Sequence, residues 1–168
     1  CVTVIWCASS MRLVASATFD QAFTPRFSPD GTRVAYSAWT RGGYRDIRVV
    51  DLNTNTFREL THDRAIDQQP AWSPDGKQIV YVDSSAPVAT GGTAPQLFVV
   101  PTFVDYAQTP KNGVVPGPGE QRTYFPGNKA TPAWSPTGLS IAFATDYDPI
   151  NNVALGQMDL FTIAPDGD

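Results

Sequence analysis

The stretch PAWSPDG at residues 70–76 has two near-copies in the same chain, PRFSPDG at residues 25–31 and PAWSPTG at residues 132–138. The second copy follows the first by 45 residues, and the third follows the second by 62. Self-similarity at a period of roughly 20–50 residues is typical of repeat architectures, in which neighbouring units stack to bury a shared core. The heptapeptide therefore predicts a chain built from copies of one small unit.

Each heptapeptide combines a turn with an aromatic residue. In S-P-D-G the proline presets φ for a type I turn, and the glycine accepts the left-handed conformation that leads into the next strand. Asp30 and Asp75 are placed to form hydrogen bonds with the backbone of their own turn, and Thr137 can form the same kind of bond more weakly. The aromatic residues are expected to fill the space between neighbouring units; they are Phe27, Trp72 and Trp134. The repeated letters thus indicate a turn and a wedge rather than a catalytic site.

Short β-rich runs follow every heptapeptide, and no amphipathic helix is evident. The 15 prolines and 13 glycines punctuate runs such as RVAYS, DIRVV and QIVYV, which is the all-β signature. The second strands of the units are predicted at residues 32–37, 77–82 and 139–144, the third at 46–51, 96–101 and 159–164, and the fourth at 56–61 and 120–125. The fold class is therefore all-β.

Four short antiparallel strands repeated at this spacing make a β-propeller blade. We expect complete blades at residues 25–69 and 70–131, the last two strands of a preceding blade at 1–24, and an incomplete blade at 132–168. We expect two complete blades and parts of two more to belong to a ring of six to eight, with further blades supplied by the same or another chain. We expect these residues alone to be poorly soluble or oligomeric, because open blade edges invite association.

Composition excludes several function classes. The 16 acidic and 12 basic residues leave no basic stripe for nucleic acid. No apolar run approaches the ~18 residues of a membrane span, and no phosphate loop, haem attachment or Cys/His metal cluster is present, so no cofactor is expected. Cys1 and Cys7 are separated by an extended run that spans ~20 Å, too far for a disulfide between them. Their redox state stays open.

Loop lengths suggest where a partner binds. The loops predicted between second and third strands are long, at residues 38–45, 84–95 and 146–157, and the blade-to-blade loops 62–69 and 126–131 join them on one side. We call this side the long-loop face. Long loops on one rim of a rigid scaffold commonly carry binding. We therefore expect a protein partner or neighbouring subunits to dock there.

The best candidates for partner contact lie in the first of these loops. They are Trp39, Arg41, Tyr44 and Arg45. Aromatic side chains and arginine are enriched among interface hot spots. The alternative is that the two aromatic rings pack over the blade edge while the arginines are solvated.

Oxygen-bearing side chains cluster in DYDPINN, at Asp146, Asp148, Asn151 and Asn152. Hard cations such as Ca²⁺ take several such ligands, but the stretch lacks the glycine and the distant glutamate of the EF-hand loop. An Asx turn before Pro149 is the alternative that we favour. We predict no metal, with Asp146, Asp148 and Asn151 as the candidates if a metal binds.

Nothing in the chain indicates catalysis. His62 is the only histidine, and its neighbour Asp63 does not by itself supply catalytic geometry. GLSIA at residues 138–142 lacks the last glycine of a nucleophile elbow and lies on a predicted strand. The protein is therefore predicted not to be an enzyme within these residues.

The heptapeptides, together with DIRVVDLNTNTFRELT at residues 46–61, resemble the WD-like repeat of TolB-type propellers. The resemblance implies a non-catalytic, periplasmic or otherwise extracytoplasmic scaffold that binds a protein partner. The alternative is a propeller that gates a prolyl-oligopeptidase-like serine peptidase or belongs to a multi-component enzyme; we favour the scaffold because it needs no further domain for its activity. A G-x-S-x-G elbow beyond residue 168 would decide for the peptidase. The identity of the partner and the number of blades are not given by the sequence.

Overall fold

The computed structural model describes residues 12–14, 21–40, 42–102 and 119–167. All regular structure in these residues is β. The first sheet holds β1 (Ala22–Phe27), β2 (Arg33–Trp39), β3 (Arg45–Asp51) and β4 (Phe57–Glu59). The second holds β5 (Asp67–Trp72), β6 (Gln78–Pro87), β7 (Thr93–Pro101) and β8 (Glu120–Gln121). The third holds β9 (Lys129–Trp134), β10 (Ile141–Asp148) and β11 (Val153–Ile163).

Each sheet is an antiparallel meander in which consecutive strands are neighbours. The first two sheets have four strands, and the third has three among the described residues. This arrangement confirms the predicted all-β fold with four-stranded antiparallel blades. The ring size of six to eight blades stays a prediction.

Each blade begins three residues before the boundary drawn at the heptapeptide's proline. The innermost strands β1, β5 and β9 continue past that proline through an irregularity in their pairing with β2, β6 and β10. The residue before the proline has a positive φ in all three blades: Thr24 47°, Gln69 55° and Thr131 48°. A bulge of this kind bends the strand and leaves pairing intact on both sides. Most of the segment at 1–24, including Cys1 and Cys7, lies outside the described residues.

Two of the predicted long loops are wrong. Residues 84–95 are mostly paired, because β6 extends to Pro87 and pairs there with Thr93. Likewise β10 extends to Asp148, which pairs with Val153, so most of residues 146–157 is strand. The long-loop face is therefore built from the tips of long hairpins. These tips place side chains more rigidly than free loops do.

The second sheet is buried on both sides, and its residues alternate between two cores. Ile79, Tyr81, Phe98 and Val100 pack against the first sheet. Val80, Val82, Leu97 and Val99 pack against Ile141 and Phe143 of the third sheet. Alternation of successive side chains across a strand produces this division directly. The sheets are thus stacked face to face, as blades of a propeller are.

The heptapeptide turn forms as predicted. The Ser28 hydroxyl and the Thr32 amide donate to the Asp30 carboxylate at 2.6 and 3.0 Å. The same pair of bonds recurs at Asp75, from Ser73 and Lys77. Because these donors stabilise the ionised form, the Ser28 hydroxyl first among them, the pKa of Asp30 falls to about 2.

The wedge role is confirmed for Trp72, which is buried between the first two sheets. Its indole N–H donates to the Arg26 carbonyl at 2.9 Å, and the Arg33 guanidinium lies 4.8 Å from the ring centre. Trp134 is partly buried against the second core. Phe27 is 69% exposed among the described residues, so no wedge contact is seen for it.

Candidate functional site

A stack of two rings around an arginine lies on the long-loop face of the first blade. The Arg45 guanidinium is 4.3 Å from the centre of the Phe23 ring and 4.7 Å from that of Trp39. Each such contact is worth roughly 0.5–1 kcal/mol when exposed and more when desolvated. Arg45 is further fixed because its backbone N–H donates to the Ala65 carbonyl at 3.2 Å. The stack therefore holds a cationic side chain in place on this face.

Of the four predicted contact residues, the structure brings Trp39 and Arg45 together. Tyr44 is half-buried, and its ring lies against the turn at Gly42, where an added Cβ would be 3.4 Å from it. Arg41 lies outside the described residues. Phe23 was missed because it falls in the stretch assigned to the preceding blade. Phe23 pairs with Ser37, which lies in a predicted strand. Because β5 and β9 also begin before the heptapeptide's proline, the repeat could have indicated that Phe23 belongs to the first blade.

The weak candidates for metal ligands near residue 150 form no common cluster among the described residues. The Asp146 carboxylate accepts from the backbone N–H and the side-chain amide of Asn128, at 2.6 and 3.1 Å. Asp148 instead accepts from the Ile150 N–H at 2.9 Å and the Asn151 amide at 2.6 Å. The pKa of Asp148 is lowered, first by the Asn151 amide and then by the Ile150 N–H. This is the Asx turn that the sequence offered as the alternative.

A different acidic cluster, which sequence reasoning missed, lies between the first two blades. Asp46 of β3, Asp63 of the blade-to-blade loop and Asp67 of β5 place carboxylate oxygens within 4.8 Å of one another. We call these three residues the acid cluster. Asp46 also lies close to Glu59 and His62, with the His62 Nδ1 3.9 Å from its carboxylate. Their dispersal over residues 46–67 hid the cluster from a search for local motifs.

Burial dominates the electrostatics of the acid cluster. Asp67 is fully buried, and loss of solvent raises its pKa to about 8, while the nearby Thr61 hydroxyl opposes the change and Asp63 adds to it. Burial also raises the pKa of Asp46, although the Asp63 backbone N–H and His62 counteract it. Removing a carboxylate from water disfavours its charge unless a cation or donors replace the lost solvent.

The corresponding junction between the second and third blades contains a lysine. Lys129 at the start of β9 is 2% exposed, and its ammonium donates to the carbonyls of Phe125, Pro126 and Gly127. Burial lowers the pKa of Lys129 to about 8, partly offset by Asp146, so the side chain is still mostly charged at neutral pH. This junction carries its own cation.

The opposite face has a cleft of about 350 Å³ between the first blade and the end of β7. Two of its charged residues already serve the fold. Arg33 donates to the Gly76 carbonyl at 3.2 Å, and Asp51 accepts from the amides of its own turn. The cleft is therefore a weaker candidate for binding than the long-loop face. Among the described residues, no helix is both long and apolar enough to span a membrane.

Comparison with known proteins places these features in a family. A family model described as the TolB beta propeller domain matches residues 2–109. The chain belongs to this family. The resemblance noted from the heptapeptides is thereby confirmed, and the stacked sheets are propeller blades.

Relatives with different names share this propeller. The "Uncharacterized peptidase YuxL" of Bacillus subtilis (strain 168) is 29% identical over 122 residues, which is 70% of this chain and 16% of that protein. The "Tol-Pal system protein TolB" of Francisella tularensis subsp. mediasiatica (strain FSC147) is 31% identical over 68 residues, covering 40% of this chain and 15% of the relative. The crystal structure of TolB from Acinetobacter baumannii superposes with a TM-score of 0.64 at 21% identity, covering 95% of this chain and 33% of that one. The chain thus spans less than a fifth of these two curated relatives.

Proposed function

We propose that this propeller is a non-catalytic scaffold that binds a protein partner through its long-loop face in an extracytoplasmic compartment. The observation that carries the proposal is the fixed Arg45 between Phe23 and Trp39. An arginine whose rotamers are already restricted loses less entropy on binding than a free one. Aromatic and arginine side chains held in this way are the usual anchors of an interface. The likeness to a protein named for the Tol-Pal system supports the scaffold role, and the compartment follows the expectation from the family resemblance.

A second candidate function is a propeller domain or subunit of a larger enzyme, such as a serine peptidase. The match to YuxL over 70% of this chain favours it, because that relative is named a peptidase. In this case the same long-loop face would contact a catalytic domain. The partner would then be part of the same polypeptide or complex.

Site-specific photocrosslinking in the native cells tests the scaffold proposal. A photoreactive phenylalanine replaces Tyr44 on the long-loop face or, as the control, Asn53 in the exposed turn of the opposite face. We expect a discrete protein adduct from position 44 and none from position 53. With the adduct identified, Trp39→Ala and Arg45→Ala should weaken its affinity tenfold or more, and Asn53→Ala should leave it unchanged. Equal adducts from both positions would contradict the proposal.

Two further measurements separate the alternatives. The intact mass of the native polypeptide, with peptide sequencing past residue 168, shows whether a G-x-S-x-G elbow accompanies the propeller. Labelling of that polypeptide by a fluorophosphonate probe would establish the peptidase and refute the non-catalytic scaffold. Cell fractionation with a cytoplasmic marker checks the compartment independently.

A further inference from the structure

The acid cluster contains buried carboxylate oxygens that make no hydrogen bond of normal geometry among the described residues. Asp67 is 0% exposed, and neither of its carboxylate oxygens makes such a bond, although the Thr61 hydroxyl lies near enough to lower its pKa. Asp46 is 1% exposed, and one of its carboxylate oxygens also makes no such hydrogen bond among the described residues. Both side chains point toward each other and toward Asp63, since their ligand atoms share a space of 4.8 Å. Buried acceptors left in this condition cost free energy unless a ligand satisfies them.

The next junction shows what the fold places at this position. Aligning Pro70 with Pro132 puts Asp67 in register with Lys129, each lying three residues earlier. The strand pairing agrees, because Asp67 pairs with Asp83 and Lys129 pairs with Thr145 at the same point of their blades.

The surrounding scaffold is also repeated. The Thr61 hydroxyl accepts from the Ile47 N–H at 2.9 Å, and the Thr123 hydroxyl accepts from the Leu97 N–H at 2.9 Å. This correspondence matches Asp46 with Gln96, the residues just before these two amides. One junction therefore holds an ammonium group beside neutral Gln96, whereas the other holds the three carboxyl groups of the acid cluster, with the exposed His62 at its edge.

The donor set defines the kind of ligand. The second group of potential metal-binding residues includes Glu59, but its carboxylate accepts from the Arg48 Nε at 3.0 Å, and the His62 side chain is 56% exposed. What remains is the all-oxygen acid cluster. Three carboxylates within 4.8 Å suit a cation whose oxygens lie roughly 2.4 Å away, as in calcium sites, better than the tighter octahedron of Mg²⁺. Asp63 is half-buried, which leaves an approach for the ion and its waters.

We propose that Asp46, Asp63 and Asp67 bind one calcium ion at the junction of the first two blades, where the ion takes the place that the Lys129 ammonium has at the next junction. The ion ties β3 of one blade to β5 of the next and fixes the loop between them. That loop also receives the Arg45 N–H at Ala65, so calcium steadies the base of the long-loop face. The site does not depend on which partner the face binds.

Titration calorimetry on the purified protein, first stripped with EDTA and then exchanged into chelator-free buffer, tests the proposal with CaCl₂, MgCl₂ and ZnCl₂. We expect one calcium per chain with a dissociation constant of roughly 10⁻⁴–10⁻³ M or tighter, as in extracellular modules, and at least tenfold weaker binding of magnesium. Asp67→Asn and Asp46→Asn should each weaken calcium binding tenfold or more. Asp75→Asn, which removes an exposed turn carboxylate and the same charge, is the matched control and should bind as the wild type does.

Melting temperature provides a second measurement, which still tests the proposal if one of the variants folds poorly. Calcium should raise the melting temperature of the wild type and of Asp75→Asn, but not that of Asp67→Asn. Asp67→Lys, which copies the neighbouring junction, should melt independently of calcium. No stoichiometric calcium binding by the wild type, tighter binding of zinc than of calcium, or calcium binding retained in both Asp46→Asn and Asp67→Asn would overturn the proposal.

Discussion

The indole of Trp72 allows a sharp test of how the first two blades are held together. Trp72→Phe keeps a ring in the wedge but removes the 2.9 Å hydrogen bond to the Arg26 carbonyl and weakens the contact with Arg33. The lost hydrogen bond costs about 1 kcal/mol, the weaker cation–π contact ~0.5 kcal/mol, and the smaller ring ~1 kcal/mol of buried area. We expect unfolding to become easier by about 2.5 kcal/mol.

Trp134→Phe is the matched control at the same position of the third blade. The indole N–H of Trp134 is buried without a partner among the described residues. The substitution therefore removes an unsatisfied donor and loses only ring area, at a cost below ~1 kcal/mol. The two variants change the same atoms in the same repeat position. Their difference isolates the hydrogen bond and the arginine contact.

Thermal unfolding followed by circular dichroism, with urea denaturation at pH 7, measures both variants. For a chain of this size about 2.5 kcal/mol corresponds to a fall of roughly 5–10 °C in melting temperature, and the control should fall by less than half as much. Equal losses in the two variants, or a larger loss for Trp134→Phe, would refute the reasoning. Urea data with an unchanged m-value would show that the native fold is retained.

Three other predictions concern the turns and the buried lysine. Thr137→Asp should raise the melting temperature by a few degrees, because the carboxylate would gain the amide donor that Asp75 has in Lys77 at 3.0 Å; differential scanning fluorimetry measures this. The pKa of Asp30 in the fold lies below its ordinary 3.8, so its stabilising effect is present above pH 4 and is lost as the pH falls toward 2. Asp30→Asn should therefore reduce the fall in melting temperature that occurs as the pH drops below 4, and an unchanged fall would contradict the assignment. Lys129→Met should lower the unfolding free energy by roughly 1–3 kcal/mol in urea, because three buried or partly buried carbonyls lose their donor; a neutral result would mean that water replaces the ammonium.

The sequence predicted the parts of the fold that local chemistry determines. The heptapeptide turns form because their serine, aspartate and glycine satisfy the turn without outside help, and the bonds at Asp30 show this. The strands that follow were found because their apolar residues are consecutive. Residues 84–95 were misread as loop because proline, glycine and serine hide the pairing that the hairpin register imposes from β6 to β7.

The candidate sites were less predictable for a different reason. Trp39 and Arg45 are close in sequence and were found, whereas Phe23 reaches them only through the pairing of β1 with β2. The acid cluster joins Asp46 to Asp67 across the contact between two blades. Such a cluster depends on how sheets stack, and no local pattern of residues encodes it.

The two unlike sides of the second sheet have a consequence for the order of the blades. The side facing the first sheet presents Tyr81 and Phe98, with ring centres 5.8 Å apart, and the side facing the third sheet presents aliphatic Val80 and Val82. A shift of β6 by one residue would exchange the two sides and place the large Tyr81 ring where a small valine side chain fits. The blades are therefore not interchangeable modules, although they share a motif. Recombination that transplants or duplicates the middle blade must carry the facing surfaces of both neighbours with it.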